Sequence, residues 1–212
     1  MDAEVFRAWI VSAAEVIEAN RDHLTQLDAA IGDADHGINL SRGFTAVLGA
    51  LGQENQAPKT PGAILTLTGN TLISKVGGAS GPLYGMAFRQ AGKALGDAAD
   101  VDLSSLSAAL DAALAGVQRL GAAREGDKTM VDALAAATRA FSKAVAEGAA
   151  QEDALSSLAE AAEAGATATI SMQALKGRAS YLGPRSVGHE DPGAASTALI
   201  LAALRDAARA GR

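Results

Sequence analysis

Asp28, Asp33 and Asp35 fall within eight positions of one glycine-punctuated stretch, LDAAIGDADHGINLSRGF over residues 27–44. Three acidic side chains set so close repel one another unless a cation lies between them. A hard divalent ion wants that oxygen environment, and Mg²⁺ typically takes one or two carboxylates together with phosphate oxygens. An amphipathic helix leads in from the N-terminal side, and another is predicted to start near Asn39 and turn its amide end toward the acids. A metal beside a helix N-terminus is a site for a polyphosphate. Other chemistries are weaker fits. The Asp33-x-Asp35 pair resembles the nucleophile motif of aspartate-dependent phosphatases, but no hydrophobic strand precedes it. The aspartate-rich motif of isoprenoid synthases lies on a helix and usually has a second copy, whereas Gly32 and Gly37 make a loop here. The spacing and terminal Glu of an EF-hand are missing. A solvated acidic turn stays open as the plain reading.

Two further segments could handle an anion. Residues 176–190, KGRASYLGPRSVGHE, carry Lys176, Arg178 and Arg185 in an acidic chain and show no helical or strand pattern. Loops this long inside a compact domain are usually functional or disordered, so the choice is between a flap over an anionic ligand and a solvated surface loop. Gly77–Pro82 offers free backbone amides before a helix, although a plain helix-to-helix turn has the same composition. GAAREGDKT at 121–129 is nearly a Walker A loop, but Asp127 intervenes between Gly126 and Lys128 and no strand leads in. GxGxxG after a strand and GxSxG are both missing, which leaves Ser80 as a phosphate or cap hydroxyl. His23, His36 and His189 have no zinc spacing, and His36 enters only as backbone of the phosphate loop.

The elements that must position these groups read as helix almost throughout. Ala and Leu dominate, period-two alternation is missing, and Gly, Pro and capping residues fall between long helical windows. Helices are predicted over about 3–20, 39–51, 60–76, 82–96, 102–121, 127–147, 152–175 and 191–209, with Thr60-Pro61 and Asp191-Pro192 as cap-plus-proline starts, Asp102 or Ser104 capping the fifth, Asp127 or Thr129 opening the sixth, and a polar linker GQENQAPKT at 52–60. Eight helices with mostly short connections imply antiparallel neighbours in a bundle. The 212 residues, 49% hydrophobic and 20% charged, fit one globular domain over 1–212. Zero cysteines exclude disulfides and thiol chemistry, and nothing contradicts a cytoplasmic setting. The acidic N-terminus reads as helix and not as a signal peptide, and the longest apolar run, near 194–204, is too short to span a bilayer. A net charge of −6 with 3% aromatics argues against nucleic acid.

LDAAIGDADHGINLSRGF, KVGGASGPLYG, GDKTM and MQALKGRASYLGPRSVGHEDPGA, in that order along essentially the whole chain, closely resemble the nucleotide-binding L subunit family of dihydroxyacetone kinase. The resemblance implies an all-α barrel of eight antiparallel helices with a nucleotide, ADP or ATP, held by the loops at one end. It implies that Asp28, Asp33 and Asp35 hold two Mg²⁺ ions. His36, Gly37, Ile38 and Asn39 correspond to the turn and helix start around the phosphates, and Ala79 and Ser80 to the glycine-rich phosphate loop. Gly121 and Met130 correspond to positions near the nucleoside, with Thr129 as a neighbour. Arg178 and Asp191-Pro192-Gly193 correspond to the flap and the final helix start. Ala34 stands where the family leads one to expect glycine, and this should be tolerated.

The implied reaction is phosphoryl transfer by positioning and charge neutralisation, with no catalytic side chain acting as a covalent nucleophile. The family resemblance also implies partners. A K subunit binds dihydroxyacetone, and the phosphoryl donor is either a phosphohistidine M subunit of the sugar phosphotransferase system, recharging resident ADP, or ATP itself. Some members are implied to act on a transcriptional regulator.

Overall fold

The computed structural model describes residues 1–53 and 58–211, so residues 54–57 of the polar linker lie outside the described residues. The described residues form nine α-helices: α1 Ala3–Ala19, α2 Arg21–Ile31, α3 His36–Leu51, α4 Pro61–Lys75, α5 Ser80–Leu95, α6 Leu103–Gly121, α7 Met130–Ala146, α8 Gln151–Ala168 and α9 Pro192–Ala210. Eight of them close a ring. From α3 to α9 each helix packs on the next, and α1 packs on both α9 and α3 to shut it, while α2 lies outside against α3. Short connections make chain neighbours antiparallel. The Met1 ammonium donates to the Val101 carbonyl at 2.8 Å, which puts the start of α1 beside the start of α6. The N-termini of α3, α5, α7 and α9 therefore share one end of the barrel, and those of α1, α4, α6 and α8 the other.

Few aromatics are available to fill the ring, and four of them line up through it. Trp9 lies edge-on to Phe6 at 5.9 Å, meets Phe88 at 5.7 Å, and Phe88 meets Phe44 at 6.3 Å. The Trp9 indole N–H donates to the Ile200 carbonyl at 2.8 Å, which ties α1 to α9. Alanine and leucine fill the remainder, so helices must approach closely. The α4–α5 seam is close along its whole length. A Cβ placed on Gly62 would lie 2.2 Å from the Gly96 carbonyl oxygen, and one on Gly92 would lie 2.5 Å from that of Gly62. Gly69 and Gly85 are matched in the same way, at 2.5 and 2.7 Å from each other's carbonyl oxygens. Backbone packs directly on backbone there.

Helix ends follow the capping residues read in the sequence, with instructive differences. Asp102 rather than Ser104 caps α6, accepting from Ser105 N at 2.7 Å. Thr129 rather than Asp127 caps α7, in a capping box with Asp132. The extra helix is α2, whose inward positions are Leu24, Asp28 and Ile31. An aspartate occupies the middle of that apolar stripe and hides the period. The third helix begins at His36, one turn before the predicted Asn39. Helix α8 stops at Ala168 and passes into a 3-10 turn, Thr169–Ser171, short of the predicted end near 175. Thr169 Oγ1 turns the chain there, donating to Ala166 O at 2.6 Å and accepting from Asp191 N at 2.9 Å. The patternless basic loop contains a 3-10 segment, Arg178–Ser186, kinked at Gly183 with φ +55°.

Candidate functional site

Asp28 stands on the last turn of α2 rather than in the turn that follows, with 8% of its surface exposed. Its Oδ2 accepts the backbone N–H groups of Asp35 at 2.8 Å and His36 at 3.1 Å, which fixes the carboxylate against the start of α3. Gly32 makes this possible, because a Cβ at that position would fall 2.0 Å from Asp28 Oδ1. The turn then reverses through Ala34 in the left-handed region, φ +61°. Asp28, Asp33 and Asp35 each offer one oxygen, and the three oxygens lie within 4.8 Å of one another. An all-carboxylate donor set of this span suits Mg²⁺ with phosphate oxygens completing its shell. A left-handed alanine costs about 1 kcal/mol relative to glycine. Ala34→Gly is therefore expected to hold or raise the melting temperature by a few degrees, read by thermal denaturation, with nucleotide binding unchanged.

The helices that begin around this cluster are not capped alike. Thr129 and Asp191 cap α7 and α9 with their own side chains. At the acidic end α3 and α5, which flank the cluster, begin without a side-chain cap. The His36 amide is already held by Asp28, and Pro82 has none, which leaves the Ser80 and Gly81 amides of α5 and the later first-turn amides of α3 without an intrahelical partner and open to an anion. The cleft itself, about 190 Å³, lies between the acidic turn, the Gly78–Ser80 loop, the start of α7 and the start of α9.

Behind it runs a chain of hydroxyls. The buried His36 ring contacts Ser80 Oγ through Nδ1 at 3.1 Å and Ser196 Oγ through Nε2 at 2.8 Å. Tyr84 Oη lies 2.7 Å from Ser196 Oγ and 2.9 Å from Thr197 Oγ1, and donates to the Gly193 carbonyl at 2.8 Å. Burial pushes the His36 imidazole below its ordinary pKa despite the nearby Asp28 and Asp35, so the ring is neutral at neutral pH. Burial likewise raises the Tyr84 phenol and keeps it protonated. The network binds α3, α5 and α9 into one rigid wall.

Arg178 reaches across from the flap, its Nη2 3.0 Å from Asp33 Oδ2. Asp191 caps α9 by accepting Ala194 N at 2.7 Å. Burial pushes its carboxyl up to about 7, against the pull of the Ala194 amide and the Lys128 ammonium. Lys128, which no sequence argument singled out, is only 1% exposed and donates to the carbonyls of Thr169, at 2.5 Å, and His189.

Of the residues read as site candidates, Asp28, Asp33, Asp35, His36, Ala79 and Ser80 line the cleft on one side, and Met130, Arg178, Asp191, Pro192 and Gly193 on the other. Gly37, Ile38, Asn39 and Gly121 stand outside its lining. Gly37 is pressed against α2, Asn39 accepts from Arg42 at 2.8 Å, Ile38 is half exposed, and Gly121 ends α6 beside Leu83. His36 contributes its ring as well as its backbone, a correction to the sequence reading. Tyr84, Ser196 and Thr197 were also missed. The signal was present: Ser196-Thr197 interrupts the otherwise apolar run at the start of α9.

A DAK2 domain model matches residues 30–206. The chain is 41% identical over 201 residues to the ADP-binding subunit DhaL of PEP-dependent dihydroxyacetone kinase from Escherichia coli, covering 95% of each chain. It is 40% identical over 196 residues to the corresponding subunit of kinase 1 from Listeria innocua, covering 92% of each. Among solved structures, the native dihydroxyacetone kinase of C. freundii superposes with a TM-score of 0.73 at 27% identity, over 97% of this chain and 34% of that one. The same enzyme in complex with AMP-PNP and Mg²⁺ superposes with a TM-score of 0.71.

Proposed function

The chain belongs to the DAK2 domain family, and from that premise we propose that it is the ADP-binding subunit of a PEP-dependent dihydroxyacetone kinase, a phosphotransferase read as one domain over residues 1–212. The observation that carries this reading is the meeting of three carboxylates, two uncapped helix N-termini and one flap arginine at a single cleft. Asp28, Asp33 and Asp35 would hold two Mg²⁺ ions, which supply neutralisation of phosphate charge and alignment for in-line transfer. The Ser80 and Gly81 amides at the start of α5, with the Ser80 hydroxyl and the N-terminus of α3, would bind the phosphates. Met130 and Leu83, which line the cleft, would border the nucleoside, with Gly121 behind Leu83. Arg178 binds the charge that develops on the transferring group. The hydroxyl wall around His36 orients Ser80, and no side chain is required as a covalent nucleophile.

The acceptor, dihydroxyacetone, is read as held by a partner K subunit. Close likeness to stand-alone ADP-binding subunits favours ADP as a resident cofactor, recharged by a phosphohistidine M subunit. ATP as a consumed substrate is the second reading, favoured by the AMP-PNP complex of the C. freundii enzyme and by 40% identity to triokinase/FMN cyclase from Bos taurus, of which this chain spans 31%. A regulatory role toward a transcription factor is compatible with either. No described helix is long and apolar enough to cross a membrane, in keeping with a cytoplasmic enzyme.

Purifying the chain without added nucleotide, denaturing it and identifying what is released tests the choice. Stoichiometric ADP with Mg²⁺ supports the resident cofactor. An empty protein that binds ATP reversibly supports the second reading, and a protein that binds neither nucleotide overturns both. Arg178→Ala is expected to lower phosphoryl transfer about 100-fold, the cost of removing one transition-state donor, while the melting temperature barely moves because the pair with Asp33 is exposed. A reconstituted transfer assay at wild-type rate would rule that role out.

A further inference from the structure

Lys128 touches neither the cleft nor the acidic turn, yet it occupies a costly position. Its backbone is left-handed at φ +61°, and its ammonium is buried opposite the carboxylates of Asp191, Asp132 and Glu190. Such a placement persists only when the surroundings over-determine it. The two carbonyls that accept its hydrogen bonds, Thr169 and His189, stand at the two ends of the segment that carries Arg178. Other bonds close the same root: Gly188 N donates to Ile170 O at 2.7 Å, and Asp191 N to Thr169 Oγ1 at 2.9 Å. Between root and tip Ala174 N donates to Ser186 Oγ at 2.9 Å and Leu175 N to Asp127 O at 3.1 Å, and the tip rests on the small cluster of Ile31, Ala174, Ala179 and Leu182 and on the Arg178–Asp33 pair.

We propose that Lys128 is a positioning residue that staples both ends of the flap and so sets where Arg178 stands over the cleft. The proposal rests on the nucleotide-binding reading given above. One ammonium suits the task because it carries three donors and can satisfy two converging carbonyls at once, which a neutral side chain of that length cannot. The adjoining carboxylates balance its charge, and the left-handed backbone aims the stem from the start of α7 into the flap root. Arg178 then acts from a fixed base.

Lys128→Gly removes the ammonium while suiting the left-handed backbone. In nucleotide-free protein, amide hydrogen exchange at Gly188 and Asp191 is expected to quicken about tenfold or more, as buried carbonyls lose their donor. Amides within α4 and α5 should keep their rates. Added n-butylammonium should restore slow exchange, and NaCl of equal ionic strength should not. With ADP and Mg²⁺ bound, nucleotide release should quicken similarly. Combined with Arg178→Ala, the Lys128→Gly variant should lose no more transfer than Arg178→Ala alone, since it acts through that arginine. Unchanged exchange at both amides overturns the staple, and so does a fully additive loss of transfer. Lys128→Met, which keeps the stem, reads the same exchange if the glycine variant does not fold. Faster exchange in a protein that never binds nucleotide would support the staple and overturn the reading it rests on.

Discussion

Asp33→Asn combined with Asp35→Asn is expected to abolish Mg²⁺-dependent retention of nucleotide, lowering affinity by at least about 100-fold, because the charge of the ligand set tunes hard-cation affinity over several decades. Only Asp28 would remain as an anionic donor, and both of the hydrogen bonds it accepts go to its Oδ2. Helical structure should survive. Asp33 is exposed and Asp35 half-buried, neither side chain caps a helix, and α3 keeps the Asp28 contacts that fix its first turn. In metal-free buffer the variant should be at least as stable as the parent, since two members of a repelling trio are neutralised. Equilibrium dialysis with and without Mg²⁺, beside circular dichroism, separates the two effects. Retention at the parental level would remove the acidic turn from the site.

Gly37→Ala carries the second large effect, and it strikes fold and site together. A Cβ there would lie 2.0 Å from the Arg21 carbonyl oxygen and 2.7 Å from Thr25 Oγ1. The carbonyl is backbone already held by Thr25 at 2.8 Å, so α2 as a whole must retreat from α3. Overpacking of this kind typically costs about 1–3 kcal/mol. Helix α2 also carries Asp28, so its retreat pulls that carboxylate off the amides of Asp35 and His36. Mg²⁺-dependent binding should fall about tenfold or more as those hydrogen bonds are lost. Gly49→Ala is the control. It lies in the same helix with nothing within 4 Å of its would-be Cβ, and is expected to stabilise by up to about 1 kcal/mol. Chemical denaturation of both variants, with a Mg²⁺ titration, checks the contrast. Equal midpoints for the two would show that α2 does not lean on Gly37.

Much of this architecture was legible in residue order. The cap-plus-proline signals at Thr60-Pro61 and Asp191-Pro192 marked helix starts correctly, because both exploit local chemistry that tertiary packing does not override. Clustered acids in a glycine turn pointed to the cleft for the same reason. What stayed hidden depended on burying polar groups. Asp28 broke the apolar stripe of α2, so an extra helix passed as a lead-in to the turn. Lys128 entered only as the lysine of an imperfect Walker A loop, since only the folded chain brings the Thr169 and His189 carbonyls to it. Ring closure was legible only through the family resemblance: helix count and loop length describe an open bundle as well as a barrel, and in the structure the contact of α1 with both α3 and α9 decides.

The glycine seam between α4 and α5 has a consequence for how the barrel assembles. Each glycine costs about 1 kcal/mol of intrinsic helix stability relative to alanine, and Gly62, Gly69, Gly85 and Gly92 spread that cost over two adjacent helices. Neither segment has much reason to be helical alone. Their order comes from meeting each other at backbone distance, an event that yields nothing until both are formed. This backbone-on-backbone contact thus joins two segments with little helical preference of their own, which are expected to form and unravel together. Since α5 begins at Ser80, its unravelling takes one wall of the cleft with it.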